Sequence, residues 1–316
     1  MSLDDHIQNQ VHSALYFDDQ RDHWWNREFL ELMGQRLQLN SVRRVLDVGC
    51  GMGHWGRALA VTLPTDAEVI GVDREPIWIE QAIERTKAAG CEDRFCFQLG
   101  AAEQLPFADS SFDLVTCQTL LIHVREPKAV LAEMLRVARP GGLLLVVEPN
   151  NLSQNLVFSD KTFAKFVANA ETIEEILQSI RFELTITRGR QAQGQGFNSV
   201  GDLVPGYFSE LGLDTIQTYL SDKSFALYPP NSTPLQRALV KHYVDRAERR
   251  QLISDTKGAA FNCFLAGGGK AEEFDRLWDQ SLRRLAEFAD DLKHDAIRCG
   301  AGTIFYLVSG RKPARG

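Results

Sequence analysis

Val45-Leu46-Asp47-Val48-Gly49-Cys50-Gly51-Met52-Gly53-His54-Trp55-Gly56 is the stretch from which the fold can be read. A short apolar run contains an acid, glycines follow at alternate positions, and a helix-like pattern begins. Glycine lacks Cβ, so it permits a tight turn and lets a ligand come close to the backbone. A turn of this kind, between a buried strand and a helix N-terminus, presents backbone N–H groups to a polar ligand.

Working outward, residues 45–48 read as a first buried strand and 54–63 as the helix after it. A second strand, 67–73, again ends in an acid, Asp73, and 76–89 is helical. Strands are predicted at 94–99, 112–118 and 143–148, with a helix at 127–138 that stops at the breaker run Arg139-Pro140-Gly141-Gly142. Strands alternating with helices at this spacing imply βαβ units and a doubly wound, mainly parallel α/β sheet. Beyond Pro149 the alternation loosens. A helix at 172–180, a Gly/Gln loop at 189–196, a short helix at 203–211 and a sixth strand at 214–220 are expected. Helices follow at 231–252 and 271–294, and the seventh strand at 302–308. The second long helix carries Phe274, Leu277, Trp278, Leu282, Leu285, Phe288 and Leu292 as one apolar stripe, the pattern of helix–helix packing.

Before the first strand, 27–37 has helical apolar spacing. The aromatics Tyr16, Phe17, Trp24, Trp25 and Phe29 suit either packing on the core or a lid over a pocket. The expected organisation is an N-terminal helical lid over 1–40, a core built from 41–222 and 300–316, and an α-helical insertion at 223–299. The insertion would serve as a cap or as an oligomerisation element, with a homodimer as one outcome.

Composition narrows the classes of function. The chain has 316 residues, 44% hydrophobic and 24% charged, and its 35 basic against 42 acidic residues leave a net charge of −7. These are ordinary values for a globular protein, without the basic stripe of a nucleic-acid footprint. The cysteines at 50, 91, 96, 117, 263 and 299 form no C-x-x-C pair, which reads as reduced thiols in a cytoplasm. No 18-residue apolar run predicts a membrane span. No metal site is expected.

The chemistry follows from where the motifs fall. The first strand's glycine turn and Asp73, 20 residues past Gly53, lie on the same sheet edge, where ligands of doubly wound folds bind. A carboxylate there suits a pair of ribose hydroxyls, leaving a nicotinamide dinucleotide and S-adenosylmethionine in contention. The dinucleotide fingerprint is G-x-G-x-x-G, whereas here the run is Asp47-x-Gly49-x-Gly51-x-Gly53. An acid beside the turn repels a pyrophosphate and suits a ligand bearing an ammonium and a sulfonium. That favours S-adenosylmethionine.

From Arg43 to Glu148 the chain resembles the class I S-adenosylmethionine-dependent methyltransferases, in particular the type 11 group that includes the ubiquinone/menaquinone-biosynthesis enzymes. The resemblance is carried by Asp47-Val48-Gly49-Cys50-Gly51-Met52-Gly53, Gly71-Val72-Asp73, Ala102-Glu103-Gln104-Leu105-Pro106-Phe107, Ser111-Phe112-Asp113-Leu114-Val115 and Arg136-Val137-Ala138-Arg139-Pro140-Gly141-Gly142. It implies that backbone around Gly49, Cys50 and Gly51 holds the methionine moiety, with Asp47 near its amino group. Asp73 would take the ribose hydroxyls, flanked by Arg74, and Trp78 would pack on adenine. The adenine edge would face Ala101, Ala102 and Glu103, and Gln118 would border the methionine carboxylate. Ala101 departs from the aspartate many relatives place there, which leaves the adenine amino group to backbone or to Glu103. For Asp47 and Asp73 the residues alone equally allow a helix-capping role, and for Trp78 a place in the core.

Methyl transfer from a sulfonium needs little beyond positioning and exclusion of water. His123, on the loop after strand four, is the candidate catalytic residue, as a general base or by positioning, with a structural histidine as the alternative. His54 reads as a helix-start residue near the cofactor, and Glu148 as a substrate-facing or a solvated acid. Strand four is not followed by the Asn/Asp-Pro-Pro-Tyr run of amino-directed nucleic-acid enzymes or by a Pro-Cys nucleophile. A small-molecule acceptor, apolar or bulky, is expected, with S-adenosylhomocysteine as the other product. The rivals are a catalytically inactive cofactor-binding partner and an NAD-dependent oxidoreductase.

Overall fold

The computed structural model describes residues 21, 23–156, 158–252, 256–300 and 304–314. Tyr16, Phe17, the first half of the expected lid, and Gly302 and Thr303 of the expected last strand fall outside them. In chain order the elements are α1 (Arg27–Arg36), β1 (Arg44–Val48), α2 (His54–Leu59), β2 (Glu68–Asp73), α3 (Pro76–Ala88), β3 (Phe95–Leu99), β4 (Phe112–Gln118), α4 (Pro127–Val137) and β5 (Ala138–Asn150). Then come α5 (Asp160–Ala168), α6 (Glu171–Ala192), α7 (Val204–Glu210), β6 (Asp214–Leu220), α8 (Pro234–Glu248), α9 (Lys257–Ala266), α10 (Ala271–Lys293) and β7 (Ile304–Arg311).

The chain separates into two compact units. One, spanning Trp24–Asn150, Asn198–Lys223 and Ile304–Gly316, holds a seven-stranded sheet in the order β3-β2-β1-β4-β5-β7-β6. Strands β1 to β5 run parallel, and β7 is antiparallel to both β5 and β6. The expected α/β sheet is therefore present, with its switch point between β1 and β4. Parallel strands are covered on both faces and read as continuous apolar runs. Accordingly Val45, Leu46, Val48, Leu114, Val115, Leu144, Val146 and Val147 are buried. Pro76 and Pro127 stand in the first turns of α3 and α4, where a missing N–H costs nothing.

Two expectations need correction in this unit. Strand β5 starts at Ala138, not at residue 143, so the breaker run ends α4 and at once becomes strand. Ala138 pairs with Phe112, and the register shifts before Leu114 meets Leu143. Residues 27–36 form no lid: Phe29, Leu30 and Met33 of α1 are buried in the sheet's core together with Val45, Trp55 and Leu59. Trp25 packs against Trp55 (5.3 Å between ring centroids) and Phe305 (5.9 Å), and Trp24 against Phe305 (5.1 Å). The apolar stripe of α1 is more stable against this core than exposed above a cleft.

The other unit takes in Asn151–Phe197 and Ser224–Thr303 and is helical. Residues 151–197, expected with the sheet, belong here because α6 packs on α9. Helix α6 runs on through Gly189, where a Gly/Gln loop was expected. Gly189 and Gly267 sit where two chain segments touch backbone to backbone. A Cβ on Gly189 would overlap the Cys263 carbonyl, and one on Gly267 the Thr185 carbonyl. Tertiary packing thus overrides the poor helix propensity of glycine. Helices α5 and α9, absent from the sequence reading, start at Ser159 and Thr256, whose hydroxyls accept backbone N–H bonds from Thr162 and Ala259. The stripe on α10 is core: Phe274, Trp278 and Leu282 pack with Phe182, Ile186, Ala260, Cys263 and Phe264. Leu292 joins a second cluster with Leu227, Leu239 and Ile297. Among the described residues no helix is long and apolar enough to cross a membrane.

Candidate functional site

The carboxyl ends of β1, β2, β4 and β5 converge on one edge of the sheet. After Val48 the chain turns through Gly49, Gly51 and Gly53 at φ of 67°, 50° and 74°, the left-handed region that side chains disfavour. The N–H groups of Gly49 and Cys50 donate to the Val72 carbonyl at 2.8 and 3.0 Å. The Gly51 N–H donates to Asp73 Oδ2 at 2.9 Å. Asp73 Oδ1 accepts from the Glu75 N–H at 3.0 Å. The acid at the end of β2 therefore pins the glycine turn and starts α3 at once. Space is as tight as the backbone: a Cβ on Gly49 would lie 2.7 Å from Leu120 Cδ1, and one on Gly71 2.9 Å from Cys50 Sγ.

Asp47 lies beneath this turn. It is 1% exposed, and its Oδ2 accepts the Gly56 N–H at 3.0 Å, inside the first turn of α2. Oδ1 is buried without a hydrogen-bond partner. Burial pushes its carboxyl up to about 8, the Gly56 N–H opposes that, and the charge of Asp73 adds to it. Asp73 is also raised, by burial first, against the pull of its two N–H donors. The Cys50 and Cys117 thiols are held well above their usual range by burial, so both stay neutral and unreactive.

At the end of β4, Gln118 is 7% exposed and its Nε2 has no hydrogen-bond partner. Thr119 bends the chain at φ 52° into a one-turn helix, Leu121–His123. His123 is half-buried. Glu148 of β5 is 0% exposed and accepts the N–H groups of Leu120 and Leu121 at 2.8 and 2.7 Å. The sequence led to a substrate-facing or a solvated acid, and it is neither, because its carboxylate turns inward under the β4 loop. Beyond it, Asn150 Nδ2 donates to Asp202 Oδ2 at 2.8 Å, and the Tyr306 phenol hydrogen-bonds to Asp202.

The residues fit S-adenosylmethionine. An ionised carboxylate has about four lone-pair positions; Asp73 uses two on backbone and is only half-buried, so it can still accept ribose hydroxyls. Burial raises the Asp73 carboxyl, and a cationic ligand at this edge would favour its ionised form. When bound, that cofactor would bring an activated methyl group on a good leaving group. Gly49, Cys50 and Gly51 would hold it through backbone, Asp73 through the ribose, and Gln118 through its unpartnered amide.

The structure gathers most of the expected residues at this edge and separates two by burial. Asp47 cannot touch a ligand's amino group, since both carboxylate oxygens are covered; it braces the turn and α2. Trp78 is 4% exposed, the burial of a packed ring, whereas stacking on adenine needs an open face. Arg74 is exposed and pairs with Glu75 at 3.3 Å. Ala101 and Glu103 are exposed and Ala102 half-buried, in a turn closed by the Gln104 N–H on the Ala101 carbonyl at 3.2 Å. Asp202 and Tyr306 escaped the sequence reading, which had no signal for them: they lie 104 residues apart, Tyr306 on β7 beside β5 and Asp202 in the turn Val200–Leu203, tied to Asn150 of β5. No group of three or more His, Cys, Asp or Glu among the described residues could hold a metal ion.

Residues 39–193 match the model of a family described as a methyltransferase domain. Methyltransferase GfsG of Streptomyces halstedii is 39% identical over 118 residues, covering 37% of this chain and 42% of that protein. A demethylmenaquinone methyltransferase of Lactiplantibacillus plantarum is 35% identical over 122 residues, covering 39% of this chain and 52% of its own. The chain thus spans about half the length of these curated relatives. Among solved structures, the YcgJ protein of Bacillus subtilis aligns with 91% of this chain and 99% of its own at 20% identity and a TM-score of 0.48.

Proposed function

Since the chain belongs, through residues 39–193, to the class I S-adenosylmethionine-dependent methyltransferases of the ubiquinone/menaquinone-like group, we propose that it methylates a small-molecule acceptor with S-adenosylmethionine as donor. The observation that carries this reading is Asp73, which fastens the glycine turn through Gly51 and keeps lone pairs for a ribose at the β1–β2 edge.

Each part of the site has a distinct task in this reading. The turn over Gly49–Gly51 binds the methionine end through backbone. Gln118 orients that end with its amide. Asp73 holds the ribose, and Ala101, Ala102 and Glu103 border the adenine. His123 takes up the acceptor's proton or orients the acceptor. The Asn150–Asp202–Tyr306 cluster offers a polar anchor on the same sheet edge. The acceptor in this reading is apolar or bulky, and demethylmenaquinone, the substrate named for one relative, is of that class. A role for residues 223–299 as cap or oligomerisation element, a homodimer, a cytoplasmic location and the absence of a nucleic-acid partner belong to the same reading.

The test is isothermal titration of the purified protein with S-adenosylmethionine, and with NAD as a control, repeated on Asp73→Ala. Losing the charge-assisted ribose bonds should cost on the order of 1.5–3 kcal/mol, roughly ten- to a hundredfold in affinity. A wild type that ignores S-adenosylmethionine and binds NAD overturns the function.

A further inference from the structure

We propose that Glu148 is a positioning residue for the methyl-transfer site, acting through the loop that follows β4; this rests on the reading of that site as a methyltransferase centre. Three sets of contacts lead to it. Pairing of β4 with β5 continues one step beyond Gln118, where the Thr119 N–H donates to the Val147 carbonyl at 3.0 Å. Then Thr119 turns the chain in the left-handed region, and the next N–H groups leave the ladder. Buried N–H groups need acceptors, and for Leu120 and Leu121 the acceptor is one oxygen, Glu148 Oε1.

The second set of contacts fixes what the loop does. The Leu120 side chain packs directly on the glycine turn: a Cβ on Gly49 would lie 2.7 Å from its Cδ1. The loop also closes on itself, the His123 N–H donating to the Leu120 carbonyl at 3.0 Å. By holding two consecutive N–H groups, Glu148 therefore sets at once the side chain that covers the methionine end and the height of His123.

The third is the surroundings of the carboxylate. Glu148 is fully buried, its Oε2 has no hydrogen-bond partner, and Cys117 Sγ lies 4.0 Å from Oε1. Burial pushes this carboxyl up to about 8, opposed by the N–H groups of Leu121, Leu120 and Ile122. A desolvated acid is a costly acceptor; here its cost is offset by backbone dipoles of a single loop, so carboxylate and loop hold each other in place.

Hydrogen exchange and titration with S-adenosylhomocysteine on wild type, Glu148→Ala and Glu148→Gln separate the possibilities. In Glu148→Ala the protection of the Leu120 and Leu121 amides should fall at least about tenfold, the loss of one good hydrogen bond. Protection at Leu46 and Leu145 in the central strands should change less than about threefold, and the S-adenosylhomocysteine Kd should rise about tenfold. Glu148→Gln, which keeps a carbonyl oxygen at the same reach, should restore most of the protection and affinity, and it remains informative where the alanine variant fails to fold. Protection lost equally throughout the sheet, or unchanged affinity in a folded Glu148→Ala protein, overturns the proposal. A wild type that does not bind S-adenosylhomocysteine overturns the function reading instead, and the positioning role with it.

Discussion

Asp47 and Asp73 look alike as strand-associated acids 26 positions apart in the chain, yet they do different work. Asp73 faces the turn's ligand side and keeps hydrogen-bonding capacity, while Asp47 is sealed under the turn with one oxygen on the Gly56 N–H. Sequence spacing places both at the edge, but side-chain direction depends on how α2 packs back on β1, which only the fold decides. Asp47 also makes a sharp stability prediction. Its folded pKa, about 8, exceeds its unfolded value near 3.8, so its contribution is fully present below the unfolded value and is lost as pH rises toward 8. Asp47→Asn keeps an oxygen for Gly56 and removes the ionisation. Urea unfolding at pH 5 and pH 8 should show wild-type stability falling across that interval by on the order of a few kcal/mol more than the variant's; equal slopes would refute the assignment. His123 carries the second prediction at this scale. With an acceptor identified by transfer of labelled methyl groups, His123→Ala should lower kcat about a hundredfold and leave S-adenosylmethionine affinity within about threefold of wild type. A kcat that barely moves removes His123 from the chemistry.

Strands were more legible than helices. Phe112–Gln118 and Asp214–Leu220 fall where the sequence puts them, each being a short run rich in β-branched, aromatic and aliphatic residues. The helices went astray where glycine, threonine or serine stood at a boundary. Gly189 reads as a loop residue by propensity, but in α6 it is the point at which Cys263 comes close. The same geometry makes α6 and α9 sensitive to one methyl group. Gly189→Ala forces the two backbones apart and should destabilise the helical unit by roughly 1–3 kcal/mol, the range for overpacking. Hydrogen exchange should quicken in α6, α9 and the first half of α10, with β1, β4 and β5 unaltered. An unchanged exchange pattern would mean that the crossing gives way at no cost. In β5 the opposite error arises: Arg139-Pro140-Gly141-Gly142 is rich in breakers, yet it forms strand, since Pro140 and Gly141 lie beside the register shift, where a regular ladder is already interrupted.

At the scale of the molecule, each unit has its own apolar core. The sheet unit gathers α1, β1, α2, β4, β5 and β7, and the helical unit gathers α6, α9 and α10 in one cluster and α8 with the end of α10 in another. Discontinuous segments build both units, so a reading along the chain sees insertions where the structure has a second body. Residues 151–197 show this most plainly: they follow the sheet in sequence and pack with 224–303 in space. The sequence by itself determined the parallel sheet, the glycine turn, the acid at the end of β2 and, through their spacing, the class of cofactor. Those features are local: they depend on residues a few positions apart, whose periodicity and φ requirements are written in the chain. Only the tertiary structure decided that Asp47 and Trp78 are buried, that Glu148 holds the β4 loop, that Asp202 meets Tyr306, and that α6 runs through Gly189. Each of these depends on contacts between segments distant in sequence, and which groups such contacts desolvate or satisfy is fixed only when the segments pack.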